Sequence, residues 1–364
     1  MKQVEKLRNY LKDQHVEAAF ITTPDNIFYL SGFRSEPHER LLGIIALKEG
    51  DPFLICPRME MNDASTTGWP FEIVGYSDTE DAWSVLKDAI RKQGVIPTSM
   101  AVEKSHLTVE RFERMRELFK NTTFTRMDDQ LNEMRVIKSE EELSNMRKAA
   151  ELADLAIQIG CEEITEGKTE LEILMTIEYE MMKRGAEKMA FETMVLSGPK
   201  TASPHGKPGN RKIRKGDFIL FDLGVVFNGY CSDITRTVAF GEPTEEMRRI
   251  YETVQEAQQA AVEIVRPGIK AMKVDQTARK IIRDVGYGDY FTHRIGHGLG
   301  ISVHEFPSIT DTNNLVLKEG MVFTIEPGIY IPDLAGVRIE DDVAVTADGV
   351  EVLTTFTKEL VILK

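Results

Sequence analysis

The chain has seven histidines, and three of them, His293, His297 and His304, fall within twelve residues of a glycine-rich segment, Phe291-Thr-His293-Arg-Ile-Gly-His297-Gly-Leu-Gly-Ile-Ser-Val-His304-Glu305. Carboxylates embedded in apolar, strand-like runs flank this segment: Asp222 and Asp233 before it, Glu326 and Glu340 after it. An unpaired charge inside such a run is costly, so something positive is expected between them. Neutral imidazole with several carboxylates is the ligand set of a hydrolytic divalent-metal centre. Four carboxylates able to bridge or chelate, together with a histidine, exceed what one ion needs. Two ions sharing carboxylates, about 3.5–4 Å apart, are expected.

Two hairpins must position these groups. In the first, Asn228-Gly229 separates two β-rich runs and predicts a two-residue turn pairing Phe227 with Tyr230. In that register Asp222 faces Thr235, with Asp233 two residues away on the same face, so the two carboxylates are diagonal neighbours roughly 7–8 Å apart at the backbone. In the second, a loop Pro332–Gly336 would pair Ile331 with Val337, which leaves Glu326 and Glu340 on one face but two residues out of direct opposition. Pro327, inside a strand, is expected at a bulge.

The hairpins belong to a repeat. Residues 139–166 and 244–266 read as long helices, and each is followed by a second, about 169–184 and 273–285, closed by Gly185 and Gly286. Gly216, Asp222 and Gly224 recur in spacing as Gly320, Glu326 and Gly328. Two helix–helix–hairpin units predict a pseudo-twofold α+β domain over 137–364, with both hairpins in one curved antiparallel sheet backed by the helices. Ser139 with Glu142 forms a capping box at its start. Residues 1–130 alternate strand-like and helical runs and read as a separate α/β domain: strands at 18–21, 41–47, 52–56 and 100–102, helices from about 78 to 92 and 108 to 119. Little chemistry converges there.

Composition narrows the function. Against 45 Lys and Arg stand 59 Asp and Glu, a net charge of −14, so the surface repels phosphate on average and a nucleic-acid partner is not expected. The length suits two domains at about 100–200 residues each, and 42% hydrophobic residues can fill their cores. Apolar stretches such as 41–47 are far shorter than the roughly 18 residues of a membrane span. The N-terminus lacks the features of a secretory signal, and a cytoplasmic protein is expected. Cys56, Cys161 and Cys231, widely spaced and odd in number, fit reduced, buried thiols.

The motifs Phe221-Asp222-Leu-Gly224, Asp233-Ile-Thr-Arg236, His293 through His304, Ile325-Glu326-Pro-Gly-Ile-Tyr330 and Arg338-Ile-Glu340 closely resemble, in order and spacing, those of the M24 metallopeptidases, and within them the Xaa-Pro dipeptidases and aminopeptidases of pita-bread fold. The N-terminal third resembles their creatinase-type N-terminal domain. The resemblance implies Asp222, Asp233, His297, Glu326 and Glu340 as metal ligands. It adds His205, His293, His304 and Arg338 as residues facing the substrate or supporting the ligands, with His293 and His304 stabilising an oxyanion and Glu326 doubling as general base. It further implies short peptide substrates and a homodimer. Oxygen-rich ligation favours Mn²⁺, with Co²⁺ or Zn²⁺ able to occupy the same ligands.

Three other readings compete. A metal-free creatinase-type enzyme is disfavoured because all five ligand positions hold competent ligands. Methionine aminopeptidases resemble the catalytic domain but usually lack so large an N-terminal domain. A non-enzymatic pita-bread binding module would be expected to have lost ligands. Arg34, Arg40 and Arg211 are candidates for gripping the carboxylate of a dipeptide.

Overall fold

A computed structural model describes residues 2–94 and 96–364. The chain divides into two compact units, residues 1–135 and 136–364. In the first, six strands, β1 (Ala18–Ile21), β2 (Gly43–Leu47), β3 (Phe53–Pro57), β4 (Ile73–Tyr76), β5 (Ser99–Val102) and β6 (Thr123–Arg126), form a mixed sheet in the order β4-β3-β2-β1-β5-β6. Its helices are α1 (Lys2–Asp13), α2 (Pro24–Ser31), α3 (Met61–Ser65), α4 (Ala82–Lys92) and α5 (Val109–Leu118), with α6 (Asp128–Val136) closing the unit. Successive strand residues point to opposite faces. Ala19 and Ile21 pack in one core with α1, α2 and α6, while Ala18 and Phe20 pack in another with α4 and α5. Burial on both faces explains why β1, β2 and β3 read as continuous apolar runs.

Two expected boundaries move. The helix expected from residue 78 starts at Ala82, because Asp81 caps it by accepting the Trp83 N–H, and Glu80 turns back to accept the Ser77 N–H at 2.7 Å. The strand expected from Leu41 starts at Gly43. Strands β4 and β6 and helices α1, α2, α3 and α6 were not anticipated.

The second unit is α+β and carries the repeat. Helices α7 (Glu140–Glu162) and α8 (Glu170–Lys183) are answered by α9 (Glu245–Glu263) and α10 (Ala271–Asp284). Ser139 and Thr169 each close a capping box with the glutamate three residues on. Gly185 and Gly286, at φ of 92° and 93°, follow α8 and α10 in the left-handed conformation that ends a helix. Strands β7 (Lys188–Met189), β8 (Met194–Ser197), β9 (Phe218–Leu223), β10 (Val225–Phe227), β11 (Tyr230–Cys231) and β12 (Ile234–Phe240) belong to the first repeat. The second has β13 (Gly296–Gly298), β14 (Glu305–Ile309), β15 (Val322–Ile325), β16 (Gly328–Ile331), β17 (Ala335–Arg338), β18 (Asp341–Val345) and β19 (Val350–Val352), and β20 (Ile362–Leu363) returns to pair with β12. Ala153, Ala156, Ile173 and Ile177 pack on Phe221, Ile234 and Val238; Val254, Ala257, Val274 and Ala278 pack on Phe323, Val337 and Val343.

The hydrogen-bond ladders are broken where the candidate ligands stand. Across Asn228-Gly229 the first hairpin pairs Phe227 with Tyr230 and Asp222 with Thr235, but it is interrupted at Gly224, where a Cβ would lie 1.9 Å from the Ser232 carbonyl. The second hairpin corrects the expected register. Asp333, at φ 63°, lets the chain reverse over three residues, so Ile331 pairs with Ala335 rather than Val337. Gly328 then opposes Arg338 and Ile325 opposes Asp341, and Glu326 and Glu340 stand opposite each other in the gap between. Pro327 occupies that gap. The repeats are joined there, the Glu340 N–H donating to the Thr235 carbonyl at 3.1 Å. All three cysteines are free and buried, and among the described residues no helix is long and apolar enough to cross a membrane.

Candidate metal centre

All nine residues implied as ligands or as substrate-facing and supporting groups line one cavity of about 750 Å³ in the second unit. Asp222 comes from β9, Asp233 from the break before β12, His297 from β13, and Glu326 and Glu340 from the two sides of the second hairpin. Asp233, His297 and Glu340 are 4%, 3% and 2% exposed, and each offers a ligand atom within 4.8 Å of the others. The imidazole of His297 is oriented: its Nδ1 faces the Gly298 carbonyl at 3.2 Å and so carries the proton. Nε2 is left as a lone pair 3.4 Å from Glu326 Oε1 and 3.8 Å from Asp233 Oδ2.

A lone pair aimed at carboxylate oxygens is repulsive unless a cation or a proton lies among them. The other groups report the same deficit of positive charge. Burial, then the neighbouring carboxylates, pushes Asp233 and Glu340 well above the ordinary carboxylate range. Burial raises Glu326 to about 7 despite the opposing pull of Arg338. His297 is driven down to about 3, by burial first and His304 second, which keeps it neutral. Asp233 Oδ1 is buried with no hydrogen-bond partner. One orphaned oxygen, a correctly turned imidazole and the clustered carboxylates of Asp233 and Glu340, with Glu326 beside them, fit a divalent cation.

The surrounding side chains hold this set in place. Thr235 donates its hydroxyl to Glu340 Oε2 at 2.6 Å and accepts Arg338 Nε at 3.1 Å. Arg338 also donates to Asp222 Oδ2 and, at 2.8 Å, to the Tyr330 hydroxyl. Tyr330 in turn donates to His293 Nε2 at 2.9 Å, while His293 Nδ1 faces the Arg294 carbonyl at 2.8 Å. Burial lowers His293 to about 4, so the ring is neutral with its proton on Nδ1. Neither nitrogen is free to meet an oxyanion, contrary to expectation; His293 instead aligns Tyr330 and Arg338. His205 and His304 are exposed to the cavity, the His304 ring 3.9 Å from that of His297.

Sequence reasoning missed Tyr330, Thr235 and Arg294. Tyr330 stood in a quoted motif without a role. Arg294 lies between His293 and His297, and its guanidinium acts on His297, His304 and Glu326 alike. Of the three arginines proposed to grip a carboxylate, Arg211 is forked onto Asp217 at 2.6 and 2.8 Å. In the first unit Arg40 is forked onto Asp78, and Arg34 lies over the Phe28 ring. The cations lining the cavity are Arg338, Arg294 and Lys207.

Such a candidate centre, set in two helix–helix–hairpin units related by a pseudo-twofold axis, is the arrangement of a pita-bread fold. Residues 144–347 match the model of metallopeptidase family M24, and residues 3–137 that of the creatinase/prolidase N-terminal domain. The chain belongs to metallopeptidase family M24. It is 47% identical, over the whole of both chains, to a Bacillus subtilis (strain 168) protein provisionally named dipeptidase YkvY. Among solved structures it is similar to the prolidase from Pyrococcus horikoshii OT3, with 38% identity, a TM-score of 0.92 and coverage of 99% of this chain and 100% of that one. It is also similar to the X-Pro aminopeptidase from Thermotoga maritima MSB8, with 34% identity, a TM-score of 0.87 and coverage of 96% and 98%.

Proposed function

We propose that this peptidase hydrolyses the Xaa-Pro bond of dipeptides, using two divalent ions, Mn²⁺ foremost, held by Asp222, Asp233, His297, Glu326 and Glu340. The observation that carries the reading is the neutral His297 lone pair facing carboxylate oxygens beside an orphaned Asp233 oxygen. The likeness to a prolidase supports the proline specificity. Bound divalent ions supply Lewis acidity and a water acidified to near neutral pKa.

The chain's own residues do the rest. Glu326 takes a proton on its carboxylate and returns it to the departing imino nitrogen of proline. Arg338, fixed by Tyr330 and His293, holds Asp222 in position for the substrate's amino end. His304 and His205 offer ring nitrogens to the scissile carbonyl. Leu171, Leu174, Phe191 and Met194 line the apolar part of the cavity, and Arg294 supplies a cation for the free carboxylate of a dipeptide. Cytoplasmic location and a homodimer are part of the same reading.

The test is release of the N-terminal residue by Mn²⁺-loaded protein from an Xaa-Pro dipeptide and from the Xaa-Pro-Xaa tripeptide that extends it. Faster cleavage of the dipeptide is expected. Better cleavage of the tripeptide would make the protein an aminopeptidase, the activity named for the Thermotoga neighbour. Cleavage of neither, with metal bound, would end the proline assignment.

A further inference from the structure

Glu170, at the first turn of α8, is fully buried and takes no part in the centre described above. Its Oε1 accepts the backbone N–H and the hydroxyl of Ser197, each at 2.8 Å, and its Oε2 accepts the Gly209 N–H at 2.9 Å and the Lys200 ammonium. Ser197 and Gly209 are the two ends of a loop whose tip, 204–208, lines the cavity and carries His205. One carboxylate therefore ties both ends of that loop to the helix that contributes Leu171 and Leu174 to the same cavity.

Two further ties act with it. Arg211, forked onto Asp217, donates to the Ser197 hydroxyl at 2.7 Å, so Ser197 links a fixed cation to Glu170. Thr201 accepts the Gly336 N–H at 2.7 Å, which fastens the loop to the hairpin that carries Arg338. The approach at that point is close: a Cβ on Gly336 would lie 2.0 Å from the Thr201 carbonyl.

We propose that Glu170 is a positioning residue for substrate binding, holding the loop 198–208, and His205 with it, as a fixed wall of the cavity. The proposal rests on the peptidase reading above. Its physical basis is that all four partners of the carboxylate are donors and one is charged. An amide of the same shape would turn an N–H₂ group toward donors, which is repulsive, and would leave Lys200 without its countercharge. A wall displaced by about 1 Å misplaces both the bound substrate and the His205 ring, at a cost in rate as well as in affinity.

The experiment compares Glu170→Gln and Lys200→Met with the wild-type chain, all full-length and Mn²⁺-loaded. The expected result is a kcat/KM for an Xaa-Pro dipeptide lowered about tenfold or more, unchanged Mn²⁺ stoichiometry, and faster amide hydrogen exchange confined to residues 197–209. A lower melting temperature with kcat/KM and exchange as in the wild type would overturn the proposal and leave Glu170 a scaffold residue. Should Glu170→Gln fail to fold, Lys200→Met decides by the same readouts, because its side chain is 36% exposed and it removes only one of the four donors. If the wild type cleaves no Xaa-Pro substrate, the peptidase reading has failed by itself, and the exchange of residues 197–209 still decides whether Glu170 fixes the loop.

Discussion

Glu326 combines two demands in one carboxylate. It must be basic enough to take a proton from water and acidic enough to give it up again, which places the best value near the working pH. In the metal-free chain burial raises it to about 7 against the pull of Arg338, and bound cations would lower it again. Glu326→Gln keeps the shape and removes the base. Turnover of an Xaa-Pro dipeptide is expected to fall about 10²–10⁴-fold while elemental analysis still finds metal, and near-normal turnover with full metal content would refute the role. The neighbouring Tyr330 has a different duty, since its hydroxyl accepts from Arg338 and donates to His293, and so converts a buried cation and a neutral ring into one aligned unit.

At the scale of elements, the site is built from interruptions in regular structure. A continuous ladder would satisfy every backbone group and leave no opening for a ligand atom, whereas the gaps at Gly224 and at Glu326-Pro327 free side chains to converge. The strand that carries His297 depends on a close approach of the same kind: a Cβ on Gly296 would lie 1.9 Å from the Thr324 carbonyl, across the pairing of β13 with β15. Gly296→Ala is therefore expected to separate these strands, to lower stability by about 1–3 kcal/mol and to reduce bound metal. Gly349→Ala is the control, because its nearest atom would be 3.9 Å away. Calorimetry and elemental analysis of both variants check the prediction, and equal metal content in the two would contradict it.

The whole molecule responds to pH through the same centre. Folded-state values of Asp233, Glu340 and Asp342 lie well above their unfolded ones, and Glu326 lies at about 7. Each contributes stability that is complete below its unfolded value and is lost as pH rises through the folded one. His293 and His297, lowered to about 4 and about 3, behave oppositely: their contribution is complete above the unfolded value of about 6.5 and is lost as pH falls. The two sets oppose each other below about pH 6.5, and above it only the carboxylates still change. Metal-free protein is thus expected to lose stability as pH rises from about 6.5 through about 7, where Glu326 gives up its proton, by up to about 1.4 kcal/mol per pH unit for each carboxylate still protonated in the folded state. Saturating Mn²⁺ is expected to abolish or reverse that loss, because ions bind the deprotonated ligands. Melting curves with chelator and with Mn²⁺ across this range provide the check, and a chelated protein that gains stability toward pH 8 would count against the assignment.

Much of this was determined by local chemistry that a sequence displays. Asn228-Gly229 can only turn one way between β-rich runs, so the register that brings Asp222 to Thr235 was legible. The repeat was legible because Gly185 and Gly286, like Gly224 and Gly328, punctuate equivalent elements. What only the tertiary structure decided were properties that depend on which surfaces meet. The opposition of Glu326 and Glu340 turned on a left-handed Asp333, which nothing in Pro332-Asp-Leu announces. His293 looked like an oxyanion donor until Tyr330 and the Arg294 carbonyl were found on its two nitrogens. Glu170 is one of many helix-opening glutamates in the sequence, and its hold on the His205 loop comes from Ser197, Lys200 and Gly209, partners 27 to 39 residues distant along the chain. Turn chemistry and spacing act over a few residues and can be read from the chain, whereas a hydrogen-bond partner contributed by a remote segment exists only once packing has brought the two together.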